Sequence, residues 1–121
     1  ILIPDADISS FKILNNNYSK DKNYAFYRNS DISKANPKTF ELLKEYFARD
    51  ENAVYYMDSI VADADPESFM QLVYHWGKDK DYIYYENKRR TDIDYNTFVI
   101  EPQPHDKNYT YGLDGKIIER K

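Results

Sequence analysis

One run of residues returns along this chain at nearly fixed distance, and that recurrence limits what it can fold into more than any other feature. Asp21-Lys22-Asn23-Tyr24-Ala25-Phe26-Tyr27 comes back as Asp50-Glu51-Asn52-Ala53-Val54-Tyr55-Tyr56, as Asp79-Lys80-Asp81-Tyr82-Ile83-Tyr84-Tyr85 and as Asp106-Lys107-Asn108-Tyr109-Thr110-Tyr111, at spacings of 29, 29 and 27 residues. Other markers keep the same time: Phe11, Phe40, Phe69 and Phe98 recur every 29 residues, as do Tyr18, Phe47 and Trp76. A period of this length is the mark of a repeat architecture, in which no unit buries its apolar surface alone and neighbours must stack. The frame divides the chain into a partial copy at 1–20, copies at 21–49, 50–78 and 79–105, and a partial C-terminal copy at 106–121. Asp5 to Leu14 matches Asp63 to Leu72, so the first copy is expected to begin in mid-unit.

Each unit can be read locally. The Asp-Lys-Asn corner favours a turn, and the aromatic and β-branched residues after it favour a strand. Eight residues after the opening Asp stand Asn29, Asp58, Asn87 and Asp114, the place for a second tight turn, and a short apolar strand follows. Asn36-Pro37 and Asp65-Pro66 put a capping side chain before a proline, which predicts a helix start. Phe40, Leu43 and Phe47, like Phe69, Leu72 and Trp76, have the spacing of a helical face, although the last aromatic of each set could equally begin a strand. The expected fold class is therefore α+β: tandem repeats of about 29 residues, each a short antiparallel β meander or hairpin plus a short helix, stacked into one compact β-rich domain. At 121 residues, a second domain would leave pieces too small to bury a core.

Composition then narrows function. Thirteen Tyr, six Phe and one Trp must supply both the core and any recognition face. No apolar run approaches a membrane span. The absence of Cys removes disulfides and thiolate chemistry, and it fits a reducing compartment. The two histidines, His75 and His105, stand at different repeat positions, no Ser has a nucleophile-elbow context, and Gly77, Gly112 and Gly115 form no phosphate-cradling loop. No catalytic residues are expected.

The pairs Asp5/Asp7, Asp63/Asp65 and Asp92/Asp94 are the best case for Ca²⁺, but Lys34/Asn36 holds the equivalent place and the second member has a sufficient role as cap, so neither metal nor cofactor is expected. The rings and bases from Tyr82 to Arg90 could stack single-stranded nucleic acid, but a net charge of −4 argues against it.

At the Asp-Lys-Asn-Tyr runs the sequence resembles the bacterial DKNYY family, and the element Ala64-Asp65-Pro66-Glu67-Ser68-Phe69 supports that likeness in correct register. It departs from the pattern at Ala53, where other copies have Tyr, and at Tyr95, where two copies have Pro. The resemblance implies an association with bacterial surface-associated and toxin-associated genes, and hence an immunity protein for a contact-dependent or related toxin; it carries over no catalytic residue. On that reading the partner is a basic toxin domain and the location cytoplasmic. The rival is a surface or envelope-associated repeat protein, in the envelope or secreted, that binds a glycan or host protein. Strand alternation sets Tyr27, Tyr56 and Tyr85 on the face opposite Phe26, Tyr55 and Tyr84, so one set is expected in the core and the other partly exposed. The candidate partner-binding residues are Tyr27, Tyr56 and Tyr85, with Trp76 and the acids Asp63, Asp65, Asp92 and Asp94 as the rim toward a basic partner. The positions where the copies disagree should hold the best clues to the partner.

Overall fold

A computed structural model describes residues 6–121. Its body is a succession of antiparallel sheets. The first is β1 (Lys12–Ile13), β2 (Tyr18–Lys20), β3 (Ala25–Tyr27) and β4 (Ser30–Asp31). The second is β5 (Glu41–Leu42), β6 (Phe47–Arg49), β7 (Val54–Tyr56) and β8 (Ser59–Val61). The third is β9 (Met70–Gln71), β10 (Trp76–Lys78), β11 (Ile83–Tyr85) and β12 (Lys88–Arg89). In all three the strands lie in chain order, a plain meander. The marking Asp sits in the turn between the two central strands, so each sheet takes its first two strands from one sequence copy and its last two from the next.

Both faces of an interior sheet are buried, each against a different neighbour. In the second sheet Ala48 and Tyr55 join a cluster with Tyr18, Ala25, Ile32 and Phe40, whereas Phe47, Val54, Tyr56 and Val61 join one with Phe69 and Tyr84. Strand alternation produces this division, since Phe47 pairs with Tyr56 and Ala48 with Tyr55. Every junction is built around three rings: Tyr18–Phe40–Tyr55 at 6.0 and 5.9 Å, Phe47–Phe69–Tyr84 at 5.0 and 5.4 Å, and Trp76–Phe98–Tyr111 at 5.2 and 6.1 Å. Phe69 lies over Gly77 of the next central strand, β10. A methyl group added to Gly77 would stand 2.5 Å from the Phe69 ring, which explains why that position has no side chain.

The expected helices are not there. Asn36 and Asp65 do cap, but the chain makes only one turn, closed by Phe40 N–H to Asn36 O and Phe69 N–H to Asp65 O. Equivalent segments Ile8–Ser10 and Tyr95–Thr97 are single 3₁₀ turns. After that turn each Phe is anchored in the junction, and the chain leaves extended: Phe98, for example, has φ −70° and ψ 125°. The spacing of Phe40, Leu43 and Phe47 comes from a hairpin, in which Phe40 precedes β5 and Phe47 opens β6. A strand, a tight turn and a returning strand place apolar residues at helix-like intervals. The result is a mostly antiparallel β domain with almost no helix.

The last sheet is reduced. It keeps β13 (Tyr109–Tyr111) and β14 (Ile117–Arg120), and single bridges from His105 to Val99 and to Thr110 stand in for the other two strands. Pro102 and Pro104 occupy that segment, and proline removes the N–H a regular ladder needs. Among the described residues, no helix is long and apolar enough to cross a membrane.

Candidate functional site

The meander gives each sheet two ends, and they are built differently. At one end lie the Asp corners. Asp79 is buried, and its Oδ1 accepts the N–H groups of Asp81 and Tyr82 at 2.9 and 2.8 Å, while its Oδ2 accepts the Asp65 N–H at 3.0 Å and the Tyr84 hydroxyl at 2.7 Å. Asp50 and Asp106 repeat the pattern, with Tyr55 and Tyr111 as the hydroxyl donors. Asp21 makes the three backbone bonds alone, because Phe26 holds the place of the tyrosine. Burial pushes the carboxyls of Asp21, Asp79 and Asp106 upward, but the converging backbone N–H groups outweigh it and hold all three below the ordinary carboxylate value. Burial and then the Asp79 partner push the Tyr84 hydroxyl up to about 12.

A second relay joins neighbouring copies at this end. Ser10, Ser68 and Thr97 donate to the capping oxygens of Asp7, Asp65 and Asp94 and accept the N–H groups of Lys22, Lys80 and Lys107. One contribution escaped the sequence reading: a base stands immediately before three of the marking Asp residues as Lys20, Arg49 and Lys78, and His105 takes that place before the fourth. Lys20 Nζ donates to Pro37 O and Phe40 O, both at 3.0 Å, and Arg49 donates to Pro66 O at 2.9 Å. Its fixed phase with the Asp was the signal that could have revealed it.

The structure distributes the expected site residues as follows. Trp76 is fully buried at the junction of the third and last sheets, where its Nε1 donates to Gly112 O, so it forms no rim. Asp65 and Asp94 are caps. Asp92 is exposed and forks onto Arg90, and Asp63 is exposed with φ 61°. Asp5 lies outside the described residues. Phe26, Tyr55 and Tyr84 are the core set, and Tyr27 and Tyr85 are half-buried; Tyr56 is buried apart from its edge. The cationic residues near Tyr82 are engaged within the chain: Arg89 lies 3.8 Å from the Tyr82 ring centre, and Arg90 reaches Asp92 and Gly115 O.

The opposite end, formed by the turns that precede β2, β6 and β10 and those that follow β3, β7 and β11, carries further residues in which the copies differ, besides Ala53 and Tyr95 at the Asp end. Asn17, Tyr46 and His75 share one repeat position, and Asn16, Glu45 and Tyr74 another. His75 sits with its ring centre 4.2 Å from both Tyr46 and Tyr74, which are 5.8 Å from each other. Its Nδ1 lies 2.8 Å from the Tyr56 hydroxyl, which is also 3.4 Å from Glu86 Oε2, and the Tyr85 ring is 6.3 Å away. Tyr74 (φ 59°) and Glu86 (φ 56°) lie in the left-handed region; Glu86 shares this with Arg28 and Met57 at its repeat position, so there it belongs to the turn itself. Burial pushes the His75 ring below its ordinary value despite the charges of Glu86 and Glu45, which favours the neutral imidazole. Two of the expected residues, Tyr56 and Tyr85, thus meet at this end with Tyr46, Tyr74 and His75. The latter three were not singled out as partner-binding residues, although Tyr46 and His75 are 29 apart, the spacing that makes residues of adjacent copies neighbours.

The family model described as the DKNYY family matches the chain twice in tandem, over residues 2–46 and 47–120. No curated protein and no solved structure matches it.

Proposed function

Because the chain belongs to the DKNYY family, whose repeating residues are here engaged in holding sheet to sheet, we propose that it is a non-catalytic protein-binding module that presents its variable turn end to a partner. The observation that carries this reading is the separation of the two ends. The marking Asp, the ring triads and the capping residues are satisfied within the fold, whereas at the other end three aromatic residues that depart from the repeat, Tyr46, Tyr74 and His75, gather beside Tyr56 and Tyr85. Tyrosines on a rigid scaffold bury large area at small entropic cost, which suits protein recognition. We take the partner to be a toxin domain that this chain neutralises, in keeping with the toxin-associated setting the family resemblance implies, and a basic one, given the −4 net charge. Co-purification with the product of the adjacent gene, followed by a toxicity-rescue assay, tests it: a stable complex and restored growth are expected. No complex and no rescue overturns the immunity role. A complex without rescue leaves protein binding and removes neutralisation.

A further inference from the structure

Resting on that binding role, we propose that the Tyr46–Tyr74–His75 group is a docking platform for a cationic side chain, Lys or Arg, of the partner protein. Three rings within 4.2 to 5.8 Å of one another form a compact aromatic patch, and Tyr74 is 49% exposed on it. The face of such a ring carries partial negative charge and attracts a cation placed over it. Glu45, next to Tyr46 in the chain, and Glu86, at the Tyr56 hydroxyl, bring two carboxylates to the same place. Neither forms an ion pair among the described residues, whose ion pairs join Arg49 to Glu41 and Arg90 to Asp92.

The rest of the molecule shows what such a ring does when a cation is at hand. Arg28 lies over Tyr27, Lys78 over Tyr95 and Arg89 over Tyr82, at 5.4, 5.9 and 3.8 Å. Among the described residues, no cation of the chain covers Tyr46 or Tyr74. An aromatic patch that no cation of the chain covers, beside two carboxylates without a cationic partner among the described residues, is complementary to a cation from outside. The neutral imidazole of His75 completes the patch without repelling it.

The test is a side-chain NMR titration of the whole chain with N-acetyl-arginine amide and with tetramethylammonium, set against the neutral N-acetyl-norleucine amide. Saturable shifts of the Tyr46, Tyr74 and His75 ring signals are expected with both cations and not with the neutral compound. Tyr74→Leu and Glu86→Gln should each weaken cation binding by roughly two- to five-fold. Equal shifts with the neutral compound, or cation shifts no larger there than at the distant exposed Tyr24, overturn the proposal. Its failure is separable from that of the binding role: a partner that binds wild type and Tyr74→Leu alike removes the cation platform and keeps the module. Cation binding in a chain that captures no toxin removes the immunity role alone.

Discussion

The two ends of the same sheets differ in how much freedom their residues have. At the Asp end a single carboxylate gathers up to four donors from two neighbouring copies, so a change in any member leaves buried polar groups without partners. At the other end the turns are tied across sheets through backbone groups, by Gln71 accepting the Tyr46 and Phe47 N–H groups and by the Tyr18 hydroxyl between Tyr46 O and the Met57 N–H, so Asn17, Tyr46 and His75 occupy one position without disturbing the strands beside them. Repetition is therefore a record of structural demand. Divergence marks where the fold accepts more than one side chain, and there a surface can be fitted to a partner.

Acid should break the contrast most completely, because it acts on three of the corners at once. The folded carboxyls of Asp21, Asp79 and Asp106 lie below the ordinary value of 3.8, since backbone N–H groups outweigh the burial that would raise them. A depressed pKa means that the folded state prefers the ionised form. Its contribution is fully present above the ordinary value and is lost as pH falls from there through the folded value. Urea unfolding midpoints should decline only slightly from pH 7 to about pH 5, as His75 takes up a proton more readily in the unfolded chain, and drop steeply below about pH 4. A midpoint unchanged down to pH 3 would show that the corners do not hold the sheets together.

A single corner can be removed by Asp79→Ala. It strips acceptors from three N–H groups and the Tyr84 hydroxyl at the junction of the second and third sheets. A loss of roughly 2–4 kcal/mol in urea unfolding is expected. Removing one hydroxyl is milder. Tyr84→Phe leaves Asp79 with its backbone donors, the state Asp21 already has opposite Phe26, and should cost about 1 kcal/mol. The converse change, Phe26→Tyr, sharpens the point: if the new hydroxyl reaches Asp21 it should raise stability, and an unchanged midpoint would separate the first corner from the others.

Much of this was legible in the sequence. The Asp clock located the central turn, strand alternation separated Tyr55 from Tyr56, and the Asx caps at Asp65 and Asp94 are where the residue types put them. The helix was misread because intervals of three and seven residues arise equally from a short hairpin, and the competing demand that Phe40 and Phe69 fill a junction between sheets is not local. The aromatic patch was missed for a related reason. Tyr46 and His75 touch only because consecutive sheets stack face to face, a contact visible in the repeat spacing once the stacking is known, and invisible to periodicity within one copy. Trp76 was placed on the rim by its residue type, while its phase with the buried Tyr18 and Phe47 pointed to the core.

The smallest effect on stability is expected where the effect on binding is largest. Tyr74 is half exposed, follows strand β9 in a turn, and sits at φ 59°, so its side chain contributes little to the core and its backbone is mildly strained. Tyr74→Ala should shift the urea midpoint by no more than about 0.5 kcal/mol equivalent. Truncating an aromatic anchor at an interface typically costs about 2 kcal/mol or more of binding. A calorimetric titration of the co-purifying partner against wild type and Tyr74→Ala, set beside their unfolding curves, measures both quantities. If the variant loses stability as Asp79→Ala does and binds as wild type does, the division of labour between the two ends is wrong. If it keeps its stability and loses its partner, the end opposite the Asp corners is the end that binds.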